Sequence, residues 1–386
     1  MHFGGYFMMA AESPSTPAAF EGPDRGFACP QEPLDLHFMN AASRRQATRT
    51  VGFFLKRFRR TLLAGSGGLE AALLHFVNDP GDVPLVCNAG IGLLRSALLM
   101  PPDSQRALAA AASFALYLAE HGRDQRWRLT LSRPESFLFS NYQLPAGTRM
   151  VFDGDGESAN ILIGHDGVSR RVRASVFRGE WRADGAEALP RLRTADDSVL
   201  LLAQLPEGIE VLDGVVIYRA DDETVERYSA AYDFLAKFAP AYLSWVQRVI
   251  RAIVPVQSVL GHTYSQSFEF LPGVVALSEK ARAIELAVCL VREAAHQYCR
   301  MVNQSASLPE GSDPEMEKLV SDYHAFANIY LVYRECRSRG FEDPEFCLVR
   351  EQFLRPRLVQ LQEHLQQEDG LGPIARVLVQ PLSARL

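Results

Sequence analysis

The sequence predicts an α+β protein with a helical N-terminal part, a β-rich middle and a helical C-terminal part. Apolar residues recur at helical spacing from residue 41 to about residue 122. Short runs of Val, Ile, Leu and Phe, separated by turn residues, replace that pattern between Trp127 and Ala220. Helical periodicity returns at Thr224. These changes predict a flexible tail over 1–40, a helical region over 41–125, a β-rich region over 126–222 and a mainly helical region over 223–386.

The composition is that of an ordinary folded protein. Of 386 residues, 40 are Lys or Arg and 46 are Asp or Glu, for a net charge of −6, and 47% are apolar. No window approaches the roughly 18 uncharged apolar residues of a membrane span. A general nucleic-acid binder would carry a basic face. We therefore expect neither membrane nor nucleic-acid partners, and the sequence leaves open a homodimer.

The cysteines and the N-terminus predict a bacterial cytoplasmic protein. None of the six cysteines forms a CxxC pair, which is typical of a reduced compartment in a chain of this length. The first residues lack the charged and apolar segments of a signal peptide. Only four of the basic residues are Lys, and this bias indicates a GC-rich bacterial genome.

The helical region opens with a basic amphipathic segment over residues 41–65. Its arginines alternate with apolar residues such as Phe54 and Phe58. Such a helix can contact a membrane or receive an acidic peptide. The favoured interpretation is a surface helix whose apolar face packs inward.

The middle region predicts one sheet of five to seven strands. Its acidic turn, Asp153 to Glu157, has some likeness to a calcium loop but lacks the spacing of an EF-hand. We expect an ordinary hairpin turn there.

Three helices are expected between residues 223 and 340, with an extended segment over 257–277 between the first two. Two amphipathic pieces are expected after Gly340. Capping signals set the limits of the three helices. The predicted helices run from an N-cap at Thr224 to Ile253, before Pro255; from an N-cap at Ser278 to Val302; and from Asp313-Pro314 to Gly340.

The second of these helices carries the most informative motif, V-R-E-A-A-H-Q. Glu293 and His296 have the spacing of the second and third named residues of H-E-x-x-H, a motif in which two His on one helical face bind a metal. Arg292 stands where the first His would be. On its own, an E-x-x-H sequence is most often a solvated helix face.

The context of the motif strengthens a metal-site interpretation. A strand, F-E-F-L-P-G-V-V-A-L-S, leads into the helix, and a later helix carries His324 on one face with Ser321 and Asn328. This is a zincin-like strand–helix–helix order, in which His324 would supply a further metal ligand.

These segments resemble the HExxH-type peptide-modifying enzymes of bacterial natural-product clusters. The resemblance rests on S-x-S-F-E-F-L-P-G-V-V-A-L-S, V-R-E-A-A-H-Q and Y-H-A-F-A-N, and it covers residues 257–335. The family consists of 2-oxoglutarate-dependent non-haem iron peptide β-hydroxylases.

The resemblance implies Fe(II), with 2-oxoglutarate as co-substrate, and hydroxylation at the β-carbon of a peptide or carrier-bound amino-acid residue. His296 matches the second motif His, Glu293 the motif Glu and His324 the downstream His. Candidate groups for the co-substrate are Arg292, Arg334 and Asn328. For Arg334, a surface position near the helix dipole is the favoured interpretation.

Arg292 departs from the family pattern and leaves three interpretations open. In a metal-free relative, Arg292 would pair with Glu293 or another carboxylate. A metal could instead survive with a substitute ligand, either His262 or Glu293. Arg292 could also bind a carboxylate of the co-substrate or substrate. The last two are compatible with each other.

Three functional classes follow. The leading one is a 2-oxoglutarate-dependent dioxygenase. The second is a metal-free relative that binds a peptide or a partner protein. The third is a zinc peptidase with Glu293 as general base, which would need two His on one helical turn and has one.

Overall fold

The computed structural model describes residues 33–193, 198–258, 263–305, 314–367 and 373–386. Helices lie at both ends of this part of the chain and strands fill the middle, which confirms the α+β class. Most of the predicted tail, residues 1–32, lies outside the described residues. The remainder of that tail is helical, because the first helix begins at Pro33 and buries Met39 completely.

Four helices form the N-terminal part: α1 (Pro33–Gly65), α2 (Leu69–Asn78), α3 (Ala89–Leu99) and α4 (Ser104–Glu120). The basic helix α1 buries Val51, Phe54, Phe58 and Leu62 in the core beneath it. This is the arrangement of a surface helix with an inward apolar face, which the sequence favoured.

A six-stranded antiparallel sheet follows, in the order β1-β2-β5-β6-β7-β8. Its inner face packs on the N-terminal helices through residues such as Trp127 and Phe152, while its outer face is exposed. The Asp153–Glu157 segment is a hairpin turn, as expected, in which the Asp155 carboxylate accepts the Ser158 N–H at 2.7 Å. The strands are β1 (Ser66–Gly67), β2 (Gln125–Glu135), β5 (Gly147–Gly154), β6 (Ser158–His165), β7 (Val168–Phe177) and β8 (Glu180–Asp184).

The β-rich region supplies strands to two further sheets, whereas the sequence predicted one sheet. A three-stranded sheet joins β3 (Leu138–Phe139), β4 (Tyr142–Gln143) and β9 (Glu187–Ala188). A mixed sheet has the order β10-β11-β13-β15-β14, with β12 beside β13. Its strands are β10 (Arg191–Arg193), β11 (Ser198–Leu201), β12 (Val215–Ile217), β13 (Ala252–Ser258), β14 (Ser265–Phe268) and β15 (Leu271–Ser278).

The motif helix packs against strands β14 and β15 of the mixed sheet. Strands β11, β13 and β15 run parallel, and β14 pairs antiparallel with β15. Val254 and Ala276 point to one face of this sheet, and Ile253 and Val275 to the other, where the C-terminal helices pack. Those helices are α5 (Asp222–Phe238), α6 (Pro240–Val249), α7 (Ala283–Ser305), α8 (Pro314–Ser338), α9 (Pro344–Gln367) and α10 (Pro373–Ser383).

Two predicted boundaries of the first C-terminal helix are wrong. Asp221, not Thr224, is the N-cap of α5, because its carboxylate accepts the Thr224 N–H at 2.8 Å. The helix also does not continue to Ile253, because Pro240 starts a separate helix. Pro255 lies inside β13, where its carbonyl accepts the Tyr218 N–H.

Of the two later helices, the second agrees with its capping signals and the first does not begin at its predicted N-cap. Pro314 begins α8 and Gly340 follows its end with φ of +76°, whereas Asp313 lies outside the described residues. Ser278 is not an N-cap: it ends β15 and its hydroxyl accepts the Tyr264 N–H at 2.6 Å. Among the described helices, a stretch long and apolar enough to cross a bilayer does not occur.

Candidate functional site

The motif helix α7 lies against β14, and a closed polar cluster forms where they meet. The Arg292 Nη2 and Nε atoms lie 2.8 and 2.9 Å from Glu293 Oε1. The Ser265 hydroxyl donates to the same oxygen at 2.7 Å, and Arg292 also donates to the Ser265 carbonyl at 2.7 Å. The Glu293 side chain is 3% exposed, so its charge is held by protein groups rather than by water.

The electrostatics of the pair favour both charged forms. Burial opposes ionisation of Glu293, but Arg292, His296 and Ser265 outweigh it and hold the pKa of that carboxyl below its usual value. Burial likewise opposes the Arg292 charge, and Glu293 together with Cys289 raises the pKa of the guanidinium above its usual value. The pair is therefore an ion pair at neutral pH.

His296 lies on the next turn of α7 and faces α8. Its Nδ1 atom lies 2.9 Å from the Ser321 hydroxyl. Burial lowers the pKa of the imidazole, and the Glu293 carboxylate opposes that shift. A half-buried, neutral imidazole is the result.

His324 lies among aromatic side chains in the core of the helical part. Its ring is completely buried, edge-to-face with Trp245 at 5.8 Å between centroids and stacked with Tyr298 at 6.0 Å. Asn328 donates to the His324 carbonyl at 2.8 Å and accepts from the Tyr242 hydroxyl at 3.1 Å. These contacts place both residues in the apolar interior of the helical part.

The remaining candidates are dispersed. Arg334 is half-buried further along α8. Its neighbour Arg337 forms a two-bond ion pair with Glu351, with both N–O distances 2.9 Å. His262 lies outside the described residues. The structure thus brings together Arg292, Glu293 and, one turn away, His296.

The described donors do not fit a three-ligand iron site. No cluster of three or more His, Cys, Asp or Glu side chains suited to a metal ion occurs in the described ranges. Glu293 is bound by Arg292, His296 faces Ser321, and His324 faces aromatic rings. The three candidate ligands therefore make contacts with three different sets of groups. In these positions they do not form a common coordination site for one metal ion.

A cleft that the sequence did not indicate opens beside the cluster. It lies between α1, α3, α7 and the turn joining β14 to β15. Arg95 of α3 and Arg300 of α7 line it, with Glu269 at its rim. The apolar lining includes Leu85, Ile91 and Met301.

Two glycines hold α3 close to the strand turn and so shape the cleft. A Cβ atom at Gly92 would lie 2.5 Å from the Phe270 carbonyl oxygen and closer still to the Pro272 ring. Gly273, with φ of +84°, faces the Cys87 carbonyl oxygen at a distance that leaves no room for a side chain. The L-P-G part of the motif is therefore a packing surface for α3.

The cleft has two guanidinium groups in a partly dry setting. Burial lowers the pKa of Arg95; Glu269 and Glu317 oppose this shift and Arg300 adds to it. Burial also lowers the pKa of Arg300, with Glu293 and Glu269 opposing. Arg300 donates to the Ser267 hydroxyl at 3.2 Å. Neither guanidinium forms an ion pair with a described carboxylate. The Ser267 hydroxyl accepts from Arg300, and the carboxylates of Glu269, Glu293 and Glu317 attract the two cations at longer range.

One signal in the sequence could have indicated half of this cleft. Glu293, Gln297 and Arg300 are spaced by four and three, which places them on one face of α7. Arg95 lies about 200 residues earlier and has no local motif around it. No protein-family model and no curated protein matches the chain.

Proposed function

We propose that this chain is a metal-free protein that binds a peptide or other organic ligand through an anionic group. The observation that carries the proposal is the presence of Arg95 and Arg300 in one cleft, without an ion pair to a described carboxylate. Two cations in a partly desolvated cleft repel each other, and a bound anion would relieve that repulsion.

The chemistry of the cleft selects the ligand. A guanidinium offers paired N–H donors that match the two oxygens of a carboxylate or phosphate. Glu269 at the rim limits the negative charge that the cleft can accept, which favours a single anionic group over a polyanion. Apolar parts of the ligand would contact Leu85, Ile91 and Met301.

The metal-free part of the proposal rests on Arg292. Its guanidinium pairs with Glu293 Oε1, one of the two carboxylate oxygens that a metal or a catalytic water could use. This arrangement matches the interpretation in which Arg292 pairs with the motif Glu. The zinc-peptidase class loses support for the same reason, because its general base would be held in an ion pair.

The alternative proposal is the iron- and 2-oxoglutarate-dependent oxygenase that the resemblance implies. The succession of β15, α7 and α8 favours it. It would require His296 and His324 to share a metal with a further ligand such as His262, and the described contacts of His296 and His324 support the metal-free protein instead. Both proposals keep the bacterial cytoplasm as the compartment.

Calorimetric titration of the whole protein tests the cleft, with inorganic phosphate and 2-oxoglutarate as separate probes in the absence of iron. We expect saturable binding of at least one anion, weakened about tenfold or more in Arg95→Gln and in Arg300→Gln. Arg44→Gln is the matched control, because Arg44 is a half-buried arginine outside the cleft lining and pairs with Asp82 at 3.4 Å. Binding that is absent, or equal in all these proteins, would overturn the proposal.

An anaerobic titration with Fe(II) and 2-oxoglutarate separates the two proposals. The metal-free protein gives no visible charge-transfer band and no bound metal by elemental analysis. A band that disappears in His296→Ala and His324→Ala would establish the oxygenase instead.

A further inference from the structure

The outer face of the six-stranded sheet carries a concentration of arginines on a chain whose net charge is negative. Side chains alternate across the sheet, so in its central part the inward residues are buried and the outward ones are exposed. We name the outward side of β2, β5, β6, β7 and β8 the arginine face. Its arginines are Arg126, Arg128, Arg149, Arg171, Arg173 and Arg182.

Strand register arranges the centre of this face in a row. Arg128 is opposite Val151, Val151 is opposite Leu162, and Leu162 is opposite Arg171. Strands lie about 4.8 Å apart, so the two arginines are about 14 Å from each other with two aliphatic side chains between them. Val151 is 47% exposed and Leu162 39%.

Few carboxylates neutralise the face. Arg126 pairs with Asp153 at 2.8 Å, and Glu180 is bound by Arg191 at the edge. Asp184, an exposed residue of β8, lies opposite Arg173 in the strand register. The other arginines of the central strands, Arg128, Arg149, Arg171 and Arg173, form no ion pair with a described residue. The face is therefore positive on both sides of an aliphatic centre.

We propose that the arginine face docks an acidic segment of a partner protein, with aliphatic side chains over Val151 and Leu162 and carboxylates on the arginines at either side. Charge complementarity supports an anionic partner. The aliphatic centre supports a polypeptide, because sheets that bind single-stranded nucleic acid present aromatic rings for base stacking. Phe177, the aromatic ring on this face within the described strands, is already covered by Arg182 at 4.1 Å.

This surface is separate from the cleft, and the inference goes beyond the proposed function. The cleft lies at α3 and α7, whereas the arginine face lies on the side of its sheet turned away from the N-terminal helices. A small anion in the cleft and an acidic segment on the sheet would therefore bind independently.

Fluorescence anisotropy of the whole protein tests the inference. The probe is a fluorescein-labelled peptide of Leu-Glu-Glu-Leu repeats, and Ser-Glu-Glu-Ser, Leu-Lys-Lys-Leu and an oligothymidylate serve as comparison probes. We expect the Leu-Glu peptide to bind most tightly, with an affinity that falls as salt is added. Replacing Leu by Ser in the peptide should weaken binding several-fold.

Adjacent arginines on β7 provide a matched pair of variants. Arg171 points outward, whereas Arg170 is opposite the inward-facing Ile163. Arg171→Glu should weaken binding of the Leu-Glu peptide about tenfold, whereas Arg170→Glu should weaken it less than twofold. Leu162→Ser, which leaves the charge unchanged, should also weaken binding, and circular dichroism checks the fold of each variant.

Either of two kinds of result, in the peptide arm or in the oligothymidylate arm, would overturn the inference. One is equal loss of peptide binding in the Arg170 and Arg171 variants, or no binding at all. The other is an oligothymidylate affinity that exceeds the peptide affinity at the same salt and is lost in Arg171→Glu, which would identify a nucleic-acid surface.

Discussion

The Arg292 guanidinium folds back over its chain neighbour Glu293, with Nη2 2.8 Å from Oε1. Side chains one residue apart on a helix point in different directions, so this contact requires a third group to orient it. Ser265 of β14 does so, because its hydroxyl and carbonyl accept Arg292 while the hydroxyl donates to Glu293. The charge of the buried Glu293 carboxylate is thus stabilised by the Arg292 guanidinium and the Ser265 hydroxyl.

Replacing Arg292 by Met should strongly destabilise the protein. The substitution leaves the Glu293 carboxylate buried without its cation. Breaking a fully buried ion pair on one side costs about 3–5 kcal/mol, and because the Arg292 side chain is 35% exposed we expect a loss at the lower end of that range. The free energy of unfolding in urea measures the effect. The double variant Arg292→Met/Glu293→Leu should recover most of the loss, because it removes the unpaired charge as well.

Lys318→Met is the control for this pair. Lys318 contacts Asp322 at 3.2 Å on α8, where the lysine side chain is 77% exposed. Exposed pairs of this spacing contribute about 0.3–0.5 kcal/mol. Equal losses in the two Met variants would show that water, rather than Arg292, stabilises the Glu293 charge.

Much of this cluster follows from local sequence. The E-x-x-H spacing placed Glu293 and His296 on one helix, and pairing of Arg292 with Glu293 was among the interpretations of the motif. Two features are decided by long-range packing: which strand residue meets Arg292, and that His324 faces Trp245 and Tyr298. The periodicity of α8 predicts which residues share a helix face with His324. It does not predict which residues of other helices pack against that face.

The fold shows the same division between local and long-range information. Repeated short apolar runs predicted strands correctly, but their distribution among three sheets depends on pairing. Strand β11 pairs with β13, about 50 residues later, through Leu200 and Ala252. Pro255 was expected to end a helix, because a proline lacks the N–H donor that a helix needs. Pro255 instead lies in β13. Its carbonyl accepts a hydrogen bond from the backbone N–H of Tyr218, the residue that follows β12.

Gln297 joins the motif helix to the strand that precedes it, and its loss should destabilise that contact. Its amide donates to the Val274 carbonyl at 2.9 Å and accepts the Gly273 N–H. Gln297→Met leaves both backbone groups buried and unpaired, at a cost of about 1–3 kcal/mol for each group. Urea unfolding and hydrogen exchange of the Gly273 amide measure the loss.

Gln352→Met on the exposed side of α9 is the comparison for Gln297, because both changes replace Gln by Met on a helix. Its unfolding free energy should stay within about 0.5 kcal/mol of the parent protein. If the Gly273 amide exchanged at the same rate in both variants, the proposed bridge would not protect it.

Glu120 should make stability fall as the pH rises. Burial raises the pKa of this carboxyl to about 8, against a usual value of 4.5, although the Ser140 N–H that it accepts opposes the shift. A raised folded-state pKa means that the folded protein holds a proton that the unfolded chain releases. The stabilisation is complete below pH 4.5 and is lost as the pH rises through about 8.

Glu120→Gln checks this dependence, because the amide keeps an acceptor and carries no charge. Between about pH 5 and pH 9 the parent protein should lose of the order of 1–3 kcal/mol more stability than the variant. Glu363→Gln, at an exposed position on α9, should follow the parent curve. Parallel curves for all three proteins would mean that Glu120 is ionised throughout.

Gly92→Ala should destabilise the protein and close the anion cleft. Alanine favours a helix over glycine by about 1 kcal/mol, but the new methyl group would overlap the Phe270 carbonyl and the Pro272 ring. Because these atoms belong to a backbone turn and a proline, they cannot rotate away, and overpacking costs about 1–3 kcal/mol. The displaced turn would move Glu269 and the wall of the cleft, so phosphate and 2-oxoglutarate binding should weaken together with stability.

Gly52→Ala tests the same substitution where space is available. Gly52 lies within α1, and an added Cβ atom would meet nothing within 4 Å. This variant should therefore gain about 0.5–1 kcal/mol in urea unfolding and leave anion binding unchanged. Opposite signs for the two glycines would show that α3 is held against the β14–β15 turn by close backbone contact. A gain in both would mean that the turn yields to a methyl group and that the cleft has no rigid wall at this point.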